Sequence, residues 1–269
     1  MEVSILDGNG CSHSSAHALV SVFGEMDIVK RVRIVNIDDN KLAKRLKDLV
    51  VIPGGEPKCL MRELGKNKRC ILKEYVKQGG KLIGICGGAC LIVQMNFFTN
   101  KIRLVNDNIW ANCGISASVQ AKMFLPSEEA AEPDQQSYIS GRVYYENGPL
   151  FRFRKKKAVH DDITVRAEYV GDAALEHMQA IGFLQSIVST ESVDWVCKSC
   201  AFRNPPGKSK CSRCKEKKTH KLPPVDEMPG TIAAIRLDES IYITSFHPEF
   251  SCVSVRQWFQ EEITRFTCH

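Results

Sequence analysis

Three groups of residues in this chain are spaced as chemistry requires. The first is Cys86 within Gly84-Ile85-Cys86-Gly87-Gly88. Glycine two residues before and two after a nucleophile is the pattern of a nucleophile elbow, a tight strand-to-helix turn whose neighbours must lack a Cβ. A helix starting there would favour the thiolate and present backbone N–H groups to an oxyanion. The second group is His247-Pro248-Glu249, a base with an acid two residues on to orient it. The third is Cys197-x2-Cys200-x10-Cys211-x2-Cys214, the spacing of a tetrahedral four-cysteine zinc site. Each C-x2-C lets two thiolates converge on one ion. That segment has too few apolar residues for a core, so one structural Zn2+ must supply most of its folding free energy.

Nucleophile and base need a scaffold, and the first hundred residues spell one. Residues 3–8, 31–38, 48–55 and 81–86 read as strands. Between and after them, 12–24, 40–48, 66–80 and 87–98 read as helices. Strand alternating with helix predicts an α/β, doubly wound, mostly parallel sheet of flavodoxin-like core. Cys86 falls at the end of one buried strand and Pro53-Gly54-Gly55 at the end of its neighbour. Gly54, Gly55 and Gly87 are therefore the candidate oxyanion donors. After residue 100 come 102–110, 141–154 and 162–171 as strands, an acidic proline-broken loop at 126–137, a hairpin over 231–246 turning near Asp238-Glu239-Ser240, and an amphipathic helix over 252–266. A buried cysteine at a strand end is the plainer reading of Cys86.

Composition narrows the setting. Hydrophobic content of 43% and charged content of 25% are ordinary for a soluble globular chain of 269 residues. No apolar run is long enough to span a membrane, and no leader-like segment opens the sequence. Twelve cysteines then read as reduced thiols and metal ligands, which predicts the cytoplasm or nucleus. Net charge is +6, but Trp195–Lys221 alone carries nine basic residues against Glu216. The chain's excess charge belongs to the cysteine cluster.

The ordered set Ile52-Pro53-Gly54-Gly55, Gln78-Gly79-Gly80-Lys81-Leu82-Ile83-Gly84-Ile85-Cys86-Gly87-Gly88, Tyr144-Tyr145-Glu146-Asn147-Gly148-Pro149 and His247-Pro248-Glu249-Phe250 resembles the class I glutamine amidotransferase superfamily. Within it, the chain looks most like the N-terminal domain of eukaryotic biotin–protein ligases. The resemblance implies Cys86 as nucleophile, His247 as base and Glu249 as orienting acid, acting on the amide of an unknown small molecule or peptide. Cys90 stands where such enzymes usually carry glutamine; it reads as a packed thiol, with a redox role as the alternative. The small cysteine-elbow chaperones and proteases are a second kin group, with a histidine from elsewhere. A catalytically idle scaffold is the competing functional reading.

Around the cysteines, W-x-C-x2-C-x3-N-x6-C-x2-C resembles the Ran-binding-protein zinc finger. This divides the chain into an amidotransferase-like domain of 1–190 and 225–269 and an inserted finger of 191–224. The resemblance implies single-stranded RNA or a protein such as ubiquitin as partner, met by Ala201, Phe202, Arg203, Lys208 and Arg213. Pro205, Gly207 and Lys208 replace the Trp and two Arg of typical RNA readers, and Ala201-Phe202 half matches the Thr-Phe of ubiquitin binders. Charge favours phosphates. A solvated basic surface around a structural zinc is the plainer alternative.

Overall fold

In the computed structural model, residues 1–98, 101–104, 116–125, 137–146, 148–153, 162–170, 195–196, 203–204, 210, 212 and 232–268 are described. The apolar, β-branched run of β1 (Glu2–Asp7) pairs in parallel with β2 (Arg31–Asn36) on one side and β3 (Leu49–Ile52) on the other. β3 is followed by β4 (Lys81–Ile85), again parallel. The linking helices are α1 (His13–Gly24), the short α2 (Leu42–Arg45) and α3 (Pro57–Lys77); α4 (Gly87–Gln94) leaves β4.

Strand alternation sorts side chains between two cores. Val3 and Ile5 face α1 and the C-terminal helix α5 (Val253–Cys268), where Leu19, Phe23, Trp258 and Phe259 pack. Leu6 faces the opposite layer, with Leu60, Leu72 and Leu91 of α3 and α4. Helices thus cover both faces, as a parallel sheet requires.

The second half of the sheet differs from the expected parallel one. β12 (Ile232–Leu237) and β13 (Ile241–Thr244) form the predicted hairpin, and β13 pairs in parallel with β4. Beyond it lie β9 (Ile163–Tyr169), β6 (Ser116–Phe124) and β7 (Tyr138–Glu146), all antiparallel. β5 (Ile102–Leu104) and β8 (Phe151–Phe153) pair with each other off this path. The sheet is therefore mixed, and "mostly parallel" holds only for its first five strands in the order β2-β1-β3-β4-β13. A parallel neighbour needs a crossover of a dozen or more residues, usually helical.

Other differences are local. α3 begins at Pro57, nine residues before the expected start, because proline suits the first helical turn. It kinks at Gly65, whose φ of 51° no other residue would adopt readily. The strand β6 lies in a stretch read as neither helix nor strand. The acidic loop 126–136 lies outside the described residues.

Two further features matter for the site. Chain positions 171–231 run between β9 and β12, which are hydrogen-bonded neighbours. Within them, β10 (Trp195–Val196) and β11 (Arg203–Asn204) pair antiparallel, Trp195 opposite Asn204. On the face that carries α1, α5 is tied to β9 by a buried bidentate pair: Arg166 Nε and Nη2 donate to Glu262 at 2.6 and 2.7 Å. Among the described residues, no helix is long and apolar enough to cross a membrane.

Candidate active site

The residues of interest converge at the carboxyl ends of adjacent strands, where open α/β sheets place their ligands. Gly54 and Gly55 follow β3, Cys86 follows β4, and His247 lies three residues beyond β13. Parallel register aligns Thr244 with Ile85, and Cys86 N–H donates to Thr244 O at 2.9 Å. The nucleophile candidate and the strand leading to the base are thus locked by one sheet.

Cys86 sits at φ 50° and ψ −108°, a left-handed conformation that side-chain-bearing residues rarely adopt. It is the N-cap of α4, so its sulfur lies at the positive end of that helix. An added Cβ on Gly87 would run into the Gly55 backbone, with Gly55 N only 2.9 Å from it. Gly55 and Gly87 are therefore in direct backbone contact beside the thiol. The Gly54 N–H is engaged otherwise: it donates to Ser15 Oγ at 3.3 Å. Gly54 packs on the imidazole instead, since a Cβ there would strike the His247 ring.

His247 is held from several sides. Its N–H donates to Tyr144 O at 2.8 Å, and its carbonyl accepts from Ser251 Oγ at 2.7 Å. Ser251 Oγ in turn accepts from Tyr144 N at 2.9 Å. The Phe250 ring stacks on the imidazole at 5.6 Å, and Tyr144 meets it edge-on at 5.9 Å. Nδ1 donates to Glu249 Oε1 at 2.8 Å, and the Cys86 side chain lies close enough to the ring to raise its pKa. One imidazole therefore bridges thiol and carboxylate. Burial alone would disfavour its charge. The facing Cys86 and Glu249 side chains outweigh that and push its pKa well above the usual histidine range.

The site is enclosed: Cys86 is 5% exposed, His247 3% and Glu249 4%. Glu249 Oε1 also accepts from Ser15 Oγ at 2.5 Å, while Oε2 is buried with no partner among the described residues. Cys90, one turn along α4, is fully buried, and burial pushes its thiol pKa well up. It stays protonated and packed.

Sequence reasoning passed over three residues that shape the site: Ser15, Tyr144 and Ser251. Ser15 was hidden among Ser12, Ser14 and Ser15, where any one could cap α1; Ser12 does so, accepting from Ser15 N at 3.3 Å. Tyr144 stands in the Tyr-Tyr-Glu-Asn-Gly-Pro motif, but it acts on His247 through its carbonyl and ring edge, which the motif does not reveal. Of the expected finger residues, Cys197, Cys200, Ala201, Phe202, Lys208, Cys211, Arg213 and Cys214 lie outside the described residues; Arg203 sits in β11 opposite Val196.

Residues 1–102 match the family described as Biotin-protein ligase, N terminal. That stretch holds Gly54, Gly55, Cys86 and Gly87 but ends before His247. No curated protein matches the chain. Among solved structures, PurLQS from Thermotoga maritima aligns with a TM-score of 0.53 and 13% identity, over 98% of this chain and 98% of that one. A protein from Thermoplasma acidophilum, described as one of the subunits of a GMP synthase, aligns with a TM-score of 0.51 and 15% identity, over 100% of this chain and 94% of that one. A structure described as a glutamine amidotransferase aligns at 0.48 and 12%, over 99% of each chain. The chain thus has a glutamine amidotransferase-like α/β fold whose first 102 residues are similar to the N-terminal domain of biotin-protein ligases.

Proposed function

We propose that the chain is a cysteine-dependent amidohydrolase or amidotransferase in which Cys86 forms a thioester with an amide substrate. The observation that carries this reading is the single imidazole of His247 bridging Cys86 and Glu249. The Cys86 sulfur attacks the amide carbonyl carbon. The oxyanion that forms is taken by the backbone N–H groups of Gly55 and Gly87. His247 gives its proton to the departing nitrogen as the C–N bond breaks, leaving the thioester. Water then adds to the thioester, His247 takes its proton, and Cys86 is released as the acid leaves.

The test is site-resolved alkylation. At neutral pH, iodoacetamide should modify Cys86 faster than Cys70 and Cys268, two of the three exposed thiols among the described residues. Access alone predicts the opposite order, so a slower or equal rate at Cys86 rejects the reading. The enclosure of Cys86 and His247 favours a second reading, a catalytically idle scaffold, which that result would support.

The stretch 191–224 is proposed to fold around one Zn2+ held by Cys197, Cys200, Cys211 and Cys214, and to recruit single-stranded RNA or a protein such as ubiquitin. The antiparallel pairing of Trp195 with Asn204 supports this, because it closes a hairpin around the first C-x2-C.

A further inference from the structure

We infer that Ser15 is a positioning residue of the thiol site, fixing the Glu249 carboxylate and the Gly54-Gly55 loop through one hydroxyl; this rests on the thiol chemistry proposed above. Ser15 and Glu249 are 234 positions apart, yet Ser15 Oγ donates to Glu249 Oε1 at 2.5 Å in a fully buried setting. The same oxygen of Ser15 accepts the Gly54 N–H at 3.3 Å. The chain of donors therefore runs from Gly54 N–H to Ser15, from Ser15 to Glu249 Oε1, and meets there the Nδ1–H of His247.

The geometry gives the hydroxyl a task that packing alone would not. A carboxylate rotates about its last bond, and either oxygen can meet a donor. Here both donors fall on Oε1, while Oε2 has none among the described residues. Without Ser15, Glu249 keeps one bond, to His247, and sits buried with less to hold its charge. It would take up a proton more readily and release the imidazolium that supports the Cys86 thiolate. Gly54 would also lose its N–H acceptor, next to the ring it packs against.

The location on α1 adds to this. Ser15 is in the first turn of a 12-residue helix, whose positive end is a favourable neighbour for a carboxylate. The hydroxyl supplies the direction that the helix end, a diffuse charge, cannot.

The experiment measures the rate of Cys86 alkylation by iodoacetamide from pH 5 to 9 in the full chain, for wild type, Ser15→Ala and Ser15→Thr. Ser15→Ala is expected to slow the reaction at neutral pH about tenfold, with the acid limb of the profile displaced upward by about one pH unit, the loss of one hydrogen bond to a charged group. Ser15→Thr, which keeps the hydroxyl, should restore the wild-type profile. Ser15→Cys, close in shape but a weak donor, should fall between them and replaces Ser15→Ala if that variant loses its fold by circular dichroism. An unshifted profile in Ser15→Ala, or an equal loss in Ala and Thr variants, overturns the inference. A wild-type Cys86 no faster than Cys70 and Cys268 overturns the thiol chemistry itself and this inference with it; a fast wild type with an unaffected Ser15→Ala overturns this inference alone.

Discussion

His247 and Glu249 are separated by a single proline, and their side chains still meet at 2.8 Å. The turn at Pro248–Phe250 is a 3₁₀ turn, and it folds the carboxylate back under the imidazole that precedes it. Glu249→Gln keeps the shape and removes the charge. Alkylation of Cys86 at neutral pH is expected to fall about ten- to a hundredfold, the scale of one charged hydrogen bond. Rates by mass spectrometry check it, and an unchanged rate would remove Glu249 from the site.

The raised pKa of His247 makes stability depend on pH in one direction. A group whose folded pKa exceeds its unfolded value stabilises fully below the unfolded value, about 6.5, and that contribution is lost as pH rises through the folded value. The melting temperature should therefore decline from neutral into alkaline solution. In His247→Gln the decline should flatten, and a parallel decline in both proteins argues against a charged His247.

Close approach at the imidazole makes one glycine indispensable. A methyl group on Gly54 would meet the His247 ring, whereas Gly24, at the end of α1, has open space around it. Gly54→Ala should lose about 1–3 kcal/mol by overpacking and lose the fast thiol as well. Gly24→Ala should be neutral or gain about 0.5–1 kcal/mol from helix propensity. Denaturant melts of the two variants give the comparison.

The Arg166–Glu262 pair is buried on both sides, with side chains 8% and 4% exposed. Glu262→Ala would strand the guanidinium, at a cost of about 3–5 kcal/mol. Replacing both by apolar residues of similar size should recover most of it. If Glu262→Ala unfolds at the wild-type denaturant midpoint, the pair does not anchor α5.

The proposed zinc makes a separable claim. Elemental analysis should find one zinc per chain. Cys211→Ala should lose it while Cys86 alkylation stays at the wild-type rate. Retention of a full equivalent of zinc in Cys211→Ala would rule that ligand out.

Much of the site was legible because its chemistry needs rare residue types in fixed order. Gly84-x-Cys86-x-Gly88 announced a turn that only small neighbours permit, and His247-Pro248-Glu249 announced a base with its acid. Alternation of β-branched strands with amphipathic helices gave the parallel half of the sheet. The antiparallel half was harder to read: β6 alternates Ser116, Ser118, Gln120 and Lys122 with apolar residues as a strand should, but no turn signal fixes its partner. Ser15 could not be found from sequence because its meaning lies in a partner 234 residues away. Glu262 was equally hidden: a charge inside the apolar stripe of α5 makes sense only once Arg166 faces it.

The adjacency of β9 and β12 bears on how such a chain could change. The excursion 171–231 departs and returns at neighbouring rungs of one ladder, so its length is nearly free: doubling a loop adds only about 0.6 kcal/mol of closure entropy. β13 is registered directly on β4, so the approach of His247 to Cys86 is set by that pairing and not by the number of residues between β9 and β12. The two ends of that excursion are thus set by one ladder, and the spacing of the candidate nucleophile and base by another.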